Sequence, residues 1–221
     1  VAAVTLAQLR NRARVRCDMV NSAFIADADF NDFLNASADE LYDILVEKYE
    51  DYFTTSSTLT TVSGTESYTV PADFYKLVGI DFQIDSTRWR ALEPFVVRER
   101  NVYRNLPTIG FPGYELKYWL RGGNLNLLPV PTAAWTLKLW YVPRRAAMSA
   151  DSDTFDGVSG WEEYIVVDAA IKALTAEEGD TSALEREKAQ LLERIQKAAS
   201  NRDAGSPARV ADVSRDDFLY W

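Results

Sequence analysis

Helical periodicity at both ends of the chain, β-branched and aromatic alternation between them, and an aperiodic C-terminal stretch predict an α+β fold. The expected arrangement is N- and C-terminal helices around an inserted small antiparallel β domain, followed by an extended C-terminal tail. The boundaries read as 1–53 for the N-terminal helices, 54–148 for the β domain, 149–202 for a C-terminal helical hairpin and 203–221 for a docking tail.

Thr5, followed three residues later by Gln8, reads as a capping box, and Leu6, Leu9 and Ala13 continue an apolar stripe, so a first helix is expected from Leu6 to Arg16. Asp27 precedes Phe30, Phe33, Leu34, Leu41, Ile44 and Leu45, whose spacing predicts a longer amphipathic helix reaching Tyr49 or Tyr52. From Thr54 the texture turns to Thr, Ser, Val and Tyr, and a β region begins. Strand content recurs in Ser67–Val70, Tyr75–Ile84, Arg88–Leu92, Tyr114–Leu120, Leu125–Leu128 and Thr136–Val142, enough for one small antiparallel sheet of five or six strands.

Gly122-Gly123-Asn124 reads as a hairpin turn, where glycine supplies positive φ, and not as a phosphate cradle. Between Phe95 and Gly113, Arg98, Arg100, Arg104, Pro107, Gly110 and Pro112 mark a helical turn and then a candidate contact loop. Ser149 to Asp156 reads as a solvated acidic linker. Ser159 with Glu162 then caps a helix rich in apolar residues from Trp161 to Leu174, and Ser182 with Glu185 caps an antiparallel partner bearing Leu184, Leu191, Leu192 and Ile195.

Composition narrows function. The net charge of −9 opposes general binding to phosphate backbones or anionic lipid. A single cysteine, Cys17, points to assembly in a reducing compartment, and no run approaches the roughly twenty apolar residues of a membrane span. With no histidine at all, Ser-His-Asp and Cys-His catalysis and imidazole metal sites are ruled out.

Glu162 and Glu163 with Asp168 are the best carboxylate group for acid–base work, yet charge at a helix start is stabilised by the helix dipole. Asp168 is read as pairing with an arginine or a backbone donor. Asp151, Asp153 and Asp156 have a calcium-loop look, but the glycine and terminal glutamate are out of register. Asn35-Ala36-Ser37 matches a glycosylation acceptor but falls inside the second helix. No nucleotide, zinc or cofactor motif is present, so neither metal nor cofactor is expected. Trp89, Trp119, Trp135 and Trp140 fall in the β region, where Trp119 and Trp140 are placed on one sheet surface for a partner or a sugar.

The order of several blocks carries more than any one of them: T-L-A-Q-L-R-N-R-A-R from Thr5, F-I-A-D-A-D-F-N-D-F-L-N-A-S-A-D-E-L-Y-D from Phe24, and T-V-P-A-D-F-Y-K-L from Thr69. R-W-R-A-L-E-P-F from Arg88, L-R-G-G-N-L-N-L-L-P from Leu120, L-W-Y-V-P from Leu139 and D-G-V-S-G-W-E-E-Y-I-V-V-D-A-A-I-K from Asp156 follow. Together they resemble the tailed-bacteriophage head-to-tail adaptor (connector) family. The resemblance implies a helical bundle of the N- and C-terminal helices carrying a β domain. It also implies a structural virion protein with no required enzyme activity. Twelve copies would form a ring joining the portal protein to tail or nozzle proteins in the virion neck, assembled in the bacterial host cytoplasm. Genomic DNA would pass through the channel at ejection without specific binding.

A closed ring needs two different faces per subunit, and an acidic wall would repel DNA phosphates and let the duplex slide. Phe218, Leu219, Tyr220 and Trp221 are the expected partner anchors, with Arg98, Arg100 and Arg104 pairing with acidic neighbours. The alternative class is a glycan-binding or cell-wall-hydrolysing tail module using the carboxylates and the tryptophan-rich sheet.

Overall fold

A computed structural model of the chain describes residues 3–20, 22, 24–104, 116–155 and 160–200. Helix α1 spans Leu6–Arg16, and its capping box forms: Gln8 N donates to Thr5 Oγ1 at 3.4 Å and Thr5 N to Gln8 Oε1 at 3.1 Å. Helix α2 spans Asp27–Lys48 with Ala26 as N-cap, so Asp27 sits in the first turn, where its charge meets the helix dipole. A separate turn, α3, covers Glu50–Phe53.

Eight strands follow: β1 Thr55–Thr60, β2 Ser67–Thr69, β3 Phe74–Gln83, β4 Trp89–Ala91, β5 Glu93–Pro94, β6 Lys117–Arg121, β7 Asn124–Leu128 and β8 Thr136–Pro143. Between β5 and β6 lie a 3-10 turn, Val97–Glu99, and α4, Arg100–Arg104. The expectation of one antiparallel sheet is corrected. The strands form two four-stranded sheets, ordered β1-β8-β3-β4 and β2-β7-β6-β5, and β5 runs parallel to β6. Their facing sides share one core that includes Ile80, Phe82, Leu125, Leu127, Leu137 and Leu139, so the sheets stack as a sandwich. Strand β7 lies between two neighbours and is buried from Leu125 to Leu128, with the polar Asn126 among its buried residues. The β6–β7 hairpin turns on Gly122 and Gly123 at φ +55° and +78°, the left-handed backbone that a two-residue connection demands.

The helices α5, Glu162–Ala176, and α6, Ser182–Ser200, pack with α1 and α2 around a second, larger core. Helix α5 is its strut. Tyr164 through Ala170 are all buried along with Ala173, and the alanines let neighbouring backbones approach closely. Two expected caps are corrected. The N-cap of α5 is Trp161, which makes Glu162 its first residue and not the third of a box, and Ser159 lies outside the described residues. At α6, Asp180 Oδ1 accepts from Ser182 N at 3.0 Å and the Thr181 hydroxyl bonds Glu185 Oε1 at 2.6 Å, one residue ahead of the Ser182 expected.

The segment read as a solvated linker is instead docked on the body. Leu6 N and Ala7 N donate to Asp153 O at 2.7 Å and Asp151 O at 3.2 Å, and Met148 and Phe155 are buried in the helical core. Backbone pairing with the start of α1 and two apolar side chains outweigh its aspartates.

Candidate functional site

Asp168 falls in the middle of the most apolar helix, where an isolated carboxylate would be costly to bury. Two lysines resolve it. Lys172, one turn along α5, bonds Oδ2, and Lys188 from α6 donates to Oδ1 at 2.6 Å. Both ammoniums also reach Glu40 on α2, at 2.9 Å from Lys172 and 3.3 Å from Lys188, while Lys172 meets the Ser37 hydroxyl at 3.1 Å. Two carboxylates and two ammoniums thus form a neutral network across three helices. Burial pushes the Asp168 carboxyl up, but the bonds from Lys172 and Lys188 outweigh it and hold it below the usual carboxylate range. Burial pulls the Lys188 ammonium down, and Asp168 overrides that, raising it above the usual lysine value. The sequence reading of an arginine or backbone partner for Asp168 is corrected to these lysines.

The two glutamates expected to join Asp168 are each engaged elsewhere. Glu162 is buried and its Oε2 accepts from Gly160 N at 2.6 Å. Glu163 pairs with Arg16 of α1, whose guanidinium also meets Glu187 of α6 at 3.2 Å. Asp168 and Glu163 therefore fasten helices to one another, while Glu162 is held locally at the start of α5.

A second buried charge lies at the seam between α2 and the exit of β8. Arg145, with its side chain 2% exposed, donates to Asp39 at 2.8 Å, Ala146 O at 2.7 Å and Asn35 Oδ1 at 3.1 Å. Asn35 also exchanges bonds with Met148, N to Oδ1 and Nδ2 to O, both at 2.9 Å. The glycosylation-like asparagine therefore ties α2 to the segment that leaves β8. Tyr42 adds a bond from its hydroxyl to Pro143 O at 2.8 Å. Beside these contacts opens a cleft of about 360 Å³ lined by Asp39, Tyr42, Asp43, Tyr75, Arg144, Arg145 and Ala147. Sequence reasoning passed over Arg145; its only signal was its place two residues after the L-W-Y-V-P block.

The remaining expected residues disperse. Arg98 and Arg100 are exposed, and Arg100 donates to Val97 O at 3.1 Å, whereas Arg104 pairs within the chain to Glu66 at 2.8 Å. Phe218, Leu219, Tyr220 and Trp221 lie outside the described residues. The shared surface expected for Trp119 and Trp140 is corrected, because they belong to different sheets. Trp119 is buried against Phe95 and Leu128, while Trp140 donates its indole N–H to Asp81 at 2.7 Å under the Lys138 ammonium. Asp151 pairs with Arg10 at 3.0 Å, and Asp153 accepts from Ser149 N and Ala150 N, both at 2.8 Å, which lowers its pKa. Asp156 lies outside the described residues. Among the described residues no group of His, Cys, Asp and Glu is placed to hold a metal ion, and no helix is long and apolar enough to cross a membrane.

A helical body joined to a β sandwich, with its inner charges spent on locking helices and seams, defines a structural α+β module. The chain matches the SU10 adaptor protein family over residues 4–211 and belongs to it. This is a phage head-to-tail adaptor family, so the chain is a structural virion component with a head–tail adaptor role, and membership implies association with portal and tail proteins. No curated protein matches the chain.

Proposed function

We propose that the protein acts as a closed ring of twelve copies that joins the portal to the tail or nozzle and lines part of the DNA ejection channel. The observation carrying this reading is the family match across residues 4–211. Residues 27–52 and 159–200 build the ring body, the β sandwich faces tail components, and the segment 203–221 reaches a portal subunit through Phe218, Leu219, Tyr220 and Trp221. The locked ionic network suits such a body, since a subunit in a ring must transmit load without rearranging its helices. The net charge of −9 supports an acidic channel wall past which DNA slides.

Mass photometry of the purified chain, alone and mixed with its cognate portal assembly, tests the reading. Recruitment of about twelve copies into one defined particle is the expected result. Persistent monomers that ignore the portal would overturn it, and a basic channel wall in an assembled ring would overturn the sliding account.

A further inference from the structure

The 3-10 turn and α4 form a short amphipathic tip whose inner side is well fastened. The Tyr103 ring packs 5.1 Å from Phe95, which lies 4.7 Å from Trp119, and Arg104 closes the end on Glu66. Its outer side has no such explanation. Val96, Val97 and Val102 are 60%, 49% and 63% exposed, and folding alone gives no reason to place three β-branched apolar residues there. Beside them, among the described residues, Arg98 has no ion pair and Arg100 meets only a backbone carbonyl. In a chain of net charge −9, an apolar tip whose Arg98 and Arg100 make no ion pair among the described residues is the complement of the chain's own prevailing surface.

The start of α2 offers an acidic stretch that fits it. At the start of α2, Asp29 and Asp32 are exposed, stand one turn apart and carry no ion pair among the described residues, unlike Asp27, Asp39 and Glu40. Exposed Ala28 and Ala36 flank them, so the surface is shallow enough to receive valine side chains. We propose that the tip bearing Val97, Arg98, Arg100 and Val102 docks on Asp29 and Asp32 of a second copy of this chain. The contact joins two different patches, the head-to-tail kind that a ring repeats, and it rests on the ring reading above.

Charge reversal tests it. R98E/R100E and D29R/D32R are each compared with wild type for ring occupancy on the portal assembly, with circular dichroism melts verifying a folded monomer. Each reversal should weaken self-assembly roughly tenfold or more, and one chain carrying both reversals should recover it. V102S, which alters no charge, should weaken assembly in the same direction. Normal rings from R98E/R100E, or a folded combined variant that does not recover, would overturn the contact while leaving the ring intact. Rings that form normally but lose a tail component would assign the tip to that partner and likewise overturn it. Wild-type chain that never forms rings, alone or on the portal, would remove the ring reading and this contact together.

Discussion

Asp168 and Arg145, two of the buried charged residues among those described, are held by similar networks and do different work. Asp168 lies within one body, tied to lysines from its own helix and the next, so its network sets how α2, α5 and α6 pack. Arg145 lies between bodies and ties the end of β8 to the flank of α2. Removing the first leaves two half-buried ammoniums sharing the single carboxylate of Glu40. Removing the second leaves both cores whole and loosens only their seam. A buried charge in this fold is therefore a positioning device whose effect depends on what it spans, and not a uniform source of stability.

The largest expected effect separates them at once. Asp168→Ala should cost about 3 kcal/mol, the low end for breaking a buried pair because the lysines can turn toward water, and lower Tm by roughly 6–12 °C in calorimetry. Arg145→Met should cost about 2 kcal/mol and, more tellingly, open the 143–150 segment to limited proteolysis while both cores stay protected against hydrogen exchange.

Acid sharpens the contrast. The Asp168 carboxyl titrates below its unfolded value near 3.9, so its stabilisation is complete above about pH 5 and is lost as pH falls through the depressed folded value. Wild-type Tm should fall more steeply from pH 5 to 3 than that of Asp168→Asn. Lys188 is shifted upward, so its share is complete below the unfolded lysine value near 10.4 and is lost as pH rises from there through its raised folded value. At the small end, Arg104→Gln breaks an exposed pair and should change Tm by a degree or two at most, corresponding to under about 0.5 kcal/mol.

Local chemistry made α1 readable, since Thr5 and Gln8 act on each other within one turn. Most strands were readable from β-branched content, but β1 was not singled out, because T-S-S-T-L-T is polar enough to pass for a turn and becomes a strand only through its pairing with β8. Strand β5 is two residues long and contains Pro94. The tryptophan argument failed for a general reason: alternation gives the parity of a residue along its strand, and says nothing about which sheet the strand joins. In the ionic network, Lys172 stands four residues from Asp168 and was legible in principle. Lys188 was not, because its reach depends on how α6 lies against α5, a tertiary fact.

The placement of α5 bears on synthesis. The partner that buries Phe30, Leu34 and Leu41 begins only at Glu162, a little over a hundred residues after α2 ends. At about 5–20 residues per second, the nascent N-terminal helices wait on the order of ten seconds for it, while all eight strands emerge and can pair first. On the ribosome, the segment nearest the start of the chain is thus among the last to be sheltered.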